Sequence, residues 1–129
     1  MQLTEAAALR AYARMMNTLN IEALEPILSD DLVYESQTVF QPLESKQAFL
    51  EYMTSKLQSI SRANATVYAE MGNIAAYGSN QPCVILAQND RTNLVAVVIA
   101  KVRENRLERL DLCVVPPPQA AERSAEYPT

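Results

Sequence analysis

Apolar residues recur at steps of three and four through Leu9, Tyr12, Ala13, Met16 and Leu19, which sets them on one face of a helix. Thr4 stands where an N-cap belongs, and Glu5 follows in the first turn, where a negative charge suits the helix dipole. Asn20 is placed to cap a short second helix turning Leu24, Ile27 and Leu28 inward. Pro26 should shorten or kink that helix, because its missing N–H removes a helical bond. Asp31–Val39 alternates as a strand, with Leu32, Tyr34 and Ser36 on one face and Val33, Glu35 and Gln37 on the other. After the loop around Pro42, Ser45 caps a third helix, Lys46–Ile60, whose apolar stripe is Phe49, Leu50, Met53, Leu57 and Ile60.

From Ala65 onward the period changes from about 3.6 residues to about 2. Strands are predicted at Ala65–Met71, Cys83–Gln88, Leu94–Arg103 and Leu107–Val115. Turn signals separate them at Gly72-Asn73, Gly78–Pro82, Asn89–Asn93 and Glu104-Asn105. The tight Glu104-Asn105 turn makes the last two strands an antiparallel hairpin. This order of elements predicts an α+β cone: three N-terminal helices on a curved, mixed, mostly antiparallel sheet, enclosing one pocket. Residues 1–118 form a single domain. Pro116-Pro117-Pro118 ends the sheet, since three residues without amide donors cannot extend a ladder. Residues 119–129 are expected to be a tail, loose or draped over the body.

The segment Leu94–Ala100 is apolar at every position, so both faces of that strand need cover. The face turned away from the helices would leave an apolar patch unless something covers it, and such patches mark interfaces. A homodimer packed through the outer sheet face is the expectation.

Composition then narrows the chemistry. The net charge of −4 argues against nucleic acid, which needs a basic stripe. No apolar run approaches the length that spans a bilayer, and the start lacks a signal-peptide pattern, so a cytoplasmic protein without membrane contact is expected. Histidine is absent, which removes the usual general base and the commonest metal ligand. The two cysteines, Cys83 and Cys113, lack metal-site spacing and fall on strands with another between them, so free thiols are expected. No metal or cofactor is expected.

Tyr12, the stretch Asn20-Ile21-Glu22-Ala23-Leu24, the run Ser29-Asp-Asp-Leu-Val-Tyr-Glu35 and the helix start Ser45-Lys-Gln-Ala-Phe-Leu-Glu-Tyr52 resemble the nuclear-transport-factor-2-like (NTF2-like) superfamily. That group includes ketosteroid isomerases, SnoaL-like polyketide cyclases and limonene epoxide hydrolases. The resemblance implies a cystatin-like cone over most of residues 5–115, and it puts the isomerases' pocket tyrosine on Tyr12. Their general-base aspartate falls on Ser36 and their second oxyanion-hole acid near Val98. A serine or valine cannot do that work.

The resulting candidate pocket is lined by Tyr12, Met16, Tyr34, Ser36, Phe49, Met53, Val98, Leu110 and Leu112, nearly all apolar. It suits a small apolar molecule with one or two hydrogen-bonding groups. Three functions are open. A SnoaL-like small-molecule binding protein would use the tyrosines and the serine to orient its ligand. An isomerase, cyclase or hydrolase without metal would use Asp111 or Glu35 as base, with Tyr12 as donor to a developing oxyanion. A protein-interaction module would recruit a partner through the sheet and the proline-rich tail. Strand alternation places Asp111 opposite Leu110 and Leu112; the resemblance implies that the leucines face the pocket, which leaves Asp111 outside beside an arginine unless a β-bulge re-aims it.

Overall fold

Thr4 caps the first helix: its hydroxyl accepts from Ala7 N at 3.1 Å, and α1 runs Glu5–Thr18. The computed structural model describes residues 2–39 and 41–129. Ala8, Leu9, Tyr12, Ala13, Met15 and Met16 form the buried face of α1, which is the expected stripe. Ser45 caps α2, Lys46–Arg62, by accepting from Ala48 N, and buries Phe49, Met53 and Leu57.

The short second helix is a correction. Asn20 does cap, accepting from Glu22 N, but the segment forms two 3-10 turns, Ile21–Ala23 and Glu25–Ile27. Pro26 at the start of the second turn supplies no N–H, so an α-helical ladder cannot run through it. The inward aim survives, with Leu24 and Leu28 buried.

Six strands follow in chain order: β1 Leu28–Ser36, β2 Val67–Ala76, β3 Ser79–Gln88, β4 Leu94–Arg103, β5 Arg106–Cys113 and β6 Glu122–Arg123. They lie in the order β1-β5-β4-β3-β2-β6, with β1 parallel to β5 and the other pairings antiparallel. The α1, α2 and 3-10 segments cover one face of this sheet, so the architecture is the expected α+β cone.

Gly72-Asn73 is not a turn. β2 runs straight through it, and the chain reverses at Tyr77-Gly78, where φ of 53° and 81° give the positive-φ pair a two-residue hairpin needs. Gly72 serves a different purpose, since a Cβ there would come within 2.6 Å of Glu122 O. It lets the C-terminal segment lie against the sheet edge. The β4–β5 turn is as expected, with Glu104 and Asn105 at φ 52° and 62°. A bulge near Lys101–Val102 shifts the β4–β5 register, so that Leu107 and Leu110 both face inward. Glu5 Oε2, from α1, accepts from Val102 N at 3.1 Å.

Residues 119–129, read from the sequence as a loose or draped tail, pack on the body. The chain leaves β5 and passes over the outer face of β4 through a 3-10 turn at Pro118–Ala120. It then pairs as β6 with the edge of β2. Beneath it lies a second apolar cluster of Ile74, Ala76, Cys83, Ile85, Val97, Ile99 and Cys113. These residues form the outer patch for which a dimer was expected, and the chain's own C-terminal segment covers it.

Polar contacts hold this strap. Glu70, 3% exposed, accepts from Arg123 Nε at 2.8 Å and Ala125 N at 2.7 Å. Asn17 of α1 accepts from Ala69 N at 2.8 Å and donates to Pro128 O at 2.7 Å. The exposed β2 edge, a standing invitation to pair with another chain, is thereby closed. Cys83 and Cys113 are free thiols on strands separated by β4. Among the described residues no helix is long and apolar enough to cross a membrane.

Candidate functional site

The helical stripe of α1 and the inward faces of β1, β4 and β5 bring the candidate residues into one cluster. Tyr12, Met16, Tyr34, Phe49, Met53, Val98, Leu110 and Leu112 all belong to the inner core, and Ser36 is buried at the end of β1. Strand pairing fixes their layers: Tyr34 is level with Leu110, and Ser36 with Leu112, which in turn faces Val98.

Two atoms in this interior lack what buried polar atoms require. The hydroxyls of Tyr12 and Tyr34 are both inaccessible to solvent and, among the described residues, have no hydrogen-bond partner. Tyr34 packs its ring against Phe49 at 5.4 Å and Tyr52 at 5.7 Å between centroids. Its hydroxyl lies near those of Tyr52 and Ser36 without reaching bonding geometry to either. The Ser36 hydroxyl is occupied locally, 2.8 Å from Thr38 Oγ1 and accepting from Thr38 N at 3.2 Å.

Burial raises the pKa of Tyr12 well above the ordinary tyrosine range, with Tyr34 and Tyr52 adding to the effect. Burial likewise raises Tyr34, with Tyr52 next. Both phenols therefore stay protonated near neutral pH and act as donors. They can hold a carbonyl, ether or hydroxyl oxygen, and they cannot take up a proton.

The carboxylates lie elsewhere. Asp111 faces outward from β5, where Arg109 Nε and Nη2 both reach it at 2.9 Å. Glu35 is on the same outer side, 2.5 Å from Arg109 Nη2. Flanked by these two carboxylates, the Arg109 guanidinium is held more firmly protonated, chiefly by its bond to Asp111. The β4–β5 bulge precedes this stretch, so it does not turn Asp111 inward. The buried carboxylate of Glu70 is level with Ile85 of the outer cluster and is engaged by the strap.

Two residues outside the expected set adjoin the site. Tyr52, on α2, contacts the Tyr34 ring, and Lys56 one turn later places Nζ 5.8 Å from the Tyr52 ring centroid. Their spacing from Phe49 and Met53 on the same helix was the available signal, since residues three and four apart are neighbours on a helix surface. Near them a hollow of about 190 Å³ opens at the surface, lined in part by Met16 and Lys56. Two larger grooves, of about 550 and 480 Å³, lie on the outer sheet face and share Lys101 and Arg109. Some of their charged walls pair among themselves, as in Arg109 with Asp111 and Arg103 with Glu108, whereas Asp31, Lys101, Glu104 and Arg106 form no ion pair among the described residues.

No family model matches this chain, and no curated protein matches it significantly. Solved structures do. It is similar to an NTF2-like protein of unknown function from Cytophaga hutchinsonii, with 14% identity over 90% of this chain and 96% of that one, at a TM-score of 0.60. It is also similar to a Sinorhizobium meliloti protein provisionally named a polyketide cyclase: 12% identity, 82% and 93% covered, TM-score 0.57. A third is a Kribbella flavida protein provisionally named a ketosteroid isomerase, with 13% identity, 84% and 75% covered and a TM-score of 0.58. At these identities the likeness is one of fold. The chain has the NTF2-like, cystatin-like fold, and that scaffold alone assigns no chemistry.

Proposed function

We propose that this chain, built on the NTF2-like cone, binds a small and largely apolar molecule between its helices and its sheet. Tyr12 and Tyr34 donate hydrogen bonds to one or two oxygen atoms of that ligand. The observation that carries this reading is the pair of unpartnered buried hydroxyls. Leaving a buried hydroxyl unsatisfied costs about 1–3 kcal/mol. Folded proteins keep few such groups, and most have a reason. A ligand oxygen at each phenol removes the cost, while Phe49, Met53, Val98, Leu110 and Leu112 supply the apolar walls.

Binding is favoured over catalysis because the acids considered as bases are committed elsewhere. Asp111 and Glu35 pair with Arg109 on the outer face. Ser36, which stands at the isomerase base position, is held by Thr38. The apolar half of the outer face is crossed by the chain's own C-terminal segment, so this reading does not depend on a second copy of the chain.

The test is ligand titration followed by NMR, using cyclohexanone as a compact apolar probe with one acceptor. The expected result is saturable shifts in the Met53 and Leu110 methyls, with affinity falling at least about fivefold in a Tyr12→Phe, Tyr34→Phe double variant, the loss of ~1 kcal/mol expected of a hydrogen bond. Absence of shifts at millimolar probe, or undiminished affinity in the double variant, overturns the proposal.

A further inference from the structure

The hollow at the surface sits one helical turn outside the tyrosines. On α1, Met16 follows Tyr12 by four residues, and on α2, Lys56 follows Tyr52 by four. Each step is one turn of helix, ~6 Å along the axis. The sheet agrees: the hollow reaches Leu86 and Val95, near the Ala96 end of β4, while Tyr34 lies level with Leu110 and Ala100 farther along. Mouth and tyrosine layer are therefore stacked, with Met16 lining the one and packed in the core that holds the other.

The walls of this mouth are mostly apolar, including Met16, Ile60, Val67, Leu86 and Val95. Lys56 is its one charged lining residue. Among the described residues Lys56 forms no ion pair, so its charge is available to a ligand. Its ammonium lies 5.8 Å from the Tyr52 ring centroid, a cation–π distance, while the residue itself lines the hollow. A lone cation beside a greasy opening complements one kind of molecule.

We infer that the ligand is an amphipathic anion, with an apolar body that enters past Met16 and one carboxylate or similar group that pairs with Lys56. The inference rests on the proposed ligand-binding interior and adds charge selectivity at its entrance. The mouth, at about 190 Å³, is smaller than the pockets of ~300 Å³ and above that take drug-sized molecules, so a short chain or a single ring is the scale.

The experiment compares hexanoate, 1-hexanol and hexylammonium, three probes with the same apolar body, by NMR titration of the full chain and of Lys56→Gln and Lys56→Met. Gln and Met are good helix formers, so both variants keep α2. The expected result is hexanoate binding about fivefold tighter than hexanol (~1 kcal/mol), hexylammonium weakest, and shifts centred on Met16, Leu86 and Val95. Both variants should erase the preference for the acid while still binding hexanol, and lowering the pH until hexanoate protonates should erase it in the parent. Equal binding of acid and alcohol, or a preference that survives in Lys56→Gln, overturns the inference. If cyclohexanone still binds in that case, the interior reading stands; if no probe binds, both fall.

Discussion

Replacing Tyr12 by phenylalanine should make this protein more stable, the reverse of what removing a normally bonded tyrosine hydroxyl does. Tyr12 is wholly buried and its oxygen has no partner. Phe keeps the ring and its packing and deletes the unsatisfied group. The penalty relieved is about 1–3 kcal/mol, and the lower part of that range is expected because water entering at the mouth can offset some of it. For 129 residues at ~2.1 cal/mol/K each, the unfolding entropy is about 0.27 kcal/mol/K, so ~1 kcal/mol raises Tm by ~4 °C. Differential scanning calorimetry of the ligand-free protein is the assay, with the expectation of a rise of about 4 °C for Tyr12→Phe. A Tm that stays level or falls would mean the hydroxyl is bonded in the folded state, and the reasoning from unpartnered phenols would fail.

Further expectations follow from other parts of the molecule. In an ultraviolet titration Tyr12 and Tyr34 should be the last of the six tyrosines to ionise, because burial raises both. The fold then holds phenol protons that the unfolded chain sheds above pH ~10, so stability should be level below that pH and fall above it; stability rising there would contradict the burial. Arg123→Ala leaves the buried Glu70 carboxylate short of a donor and should cost about 1–3 kcal/mol in urea denaturation, more than Glu70→Gln, which keeps an acceptor and removes the charge. Burial, with Glu70 adding, pushes the Cys83 thiol up to about 12, and burial raises Cys113 as well. Neither should react with Ellman's reagent in the native state at about pH 8, and both should react once unfolded; rapid native labelling would place a thiol at the surface.

Much of the cone is written in local signals. The Leu9–Met16 stripe, the caps at Thr4, Asn20 and Ser45, and the Glu104-Asn105 turn each act within a few residues, and each appears in the structure. Alternation along β5 likewise put Leu110 and Leu112 on one face and Asp111 on the other, the resemblance turned the leucines inward, and the structure has Asp111 outside beside Arg109. What the sequence hid depends on distant partners. Gly72 looks like a turn residue until Glu122, fifty positions later, is seen to need the space a Cβ would fill. Residues 119–129 look polar and loose because Arg123 and Glu126 are charged, yet Glu70 and Arg10 wait for them on the body. The cover over the outer patch was hidden in the same way, since an apolar patch says that cover is needed and not which chain provides it. Tyr52 and Lys56 were missed because they flank the apolar stripe of α2, where helical polarity alone reads as solvent-facing.

The most direct measurement is a high-resolution crystal structure of the protein as purified, examined at the two phenol oxygens. Non-protein density at ~2.6–3.0 Å from Tyr12 Oη and Tyr34 Oη, continuous toward Met16 and Lys56, is the predicted result. Hydroxyls bonded to protein atoms, in a core that side chains fill completely as far as the mouth, would contradict it.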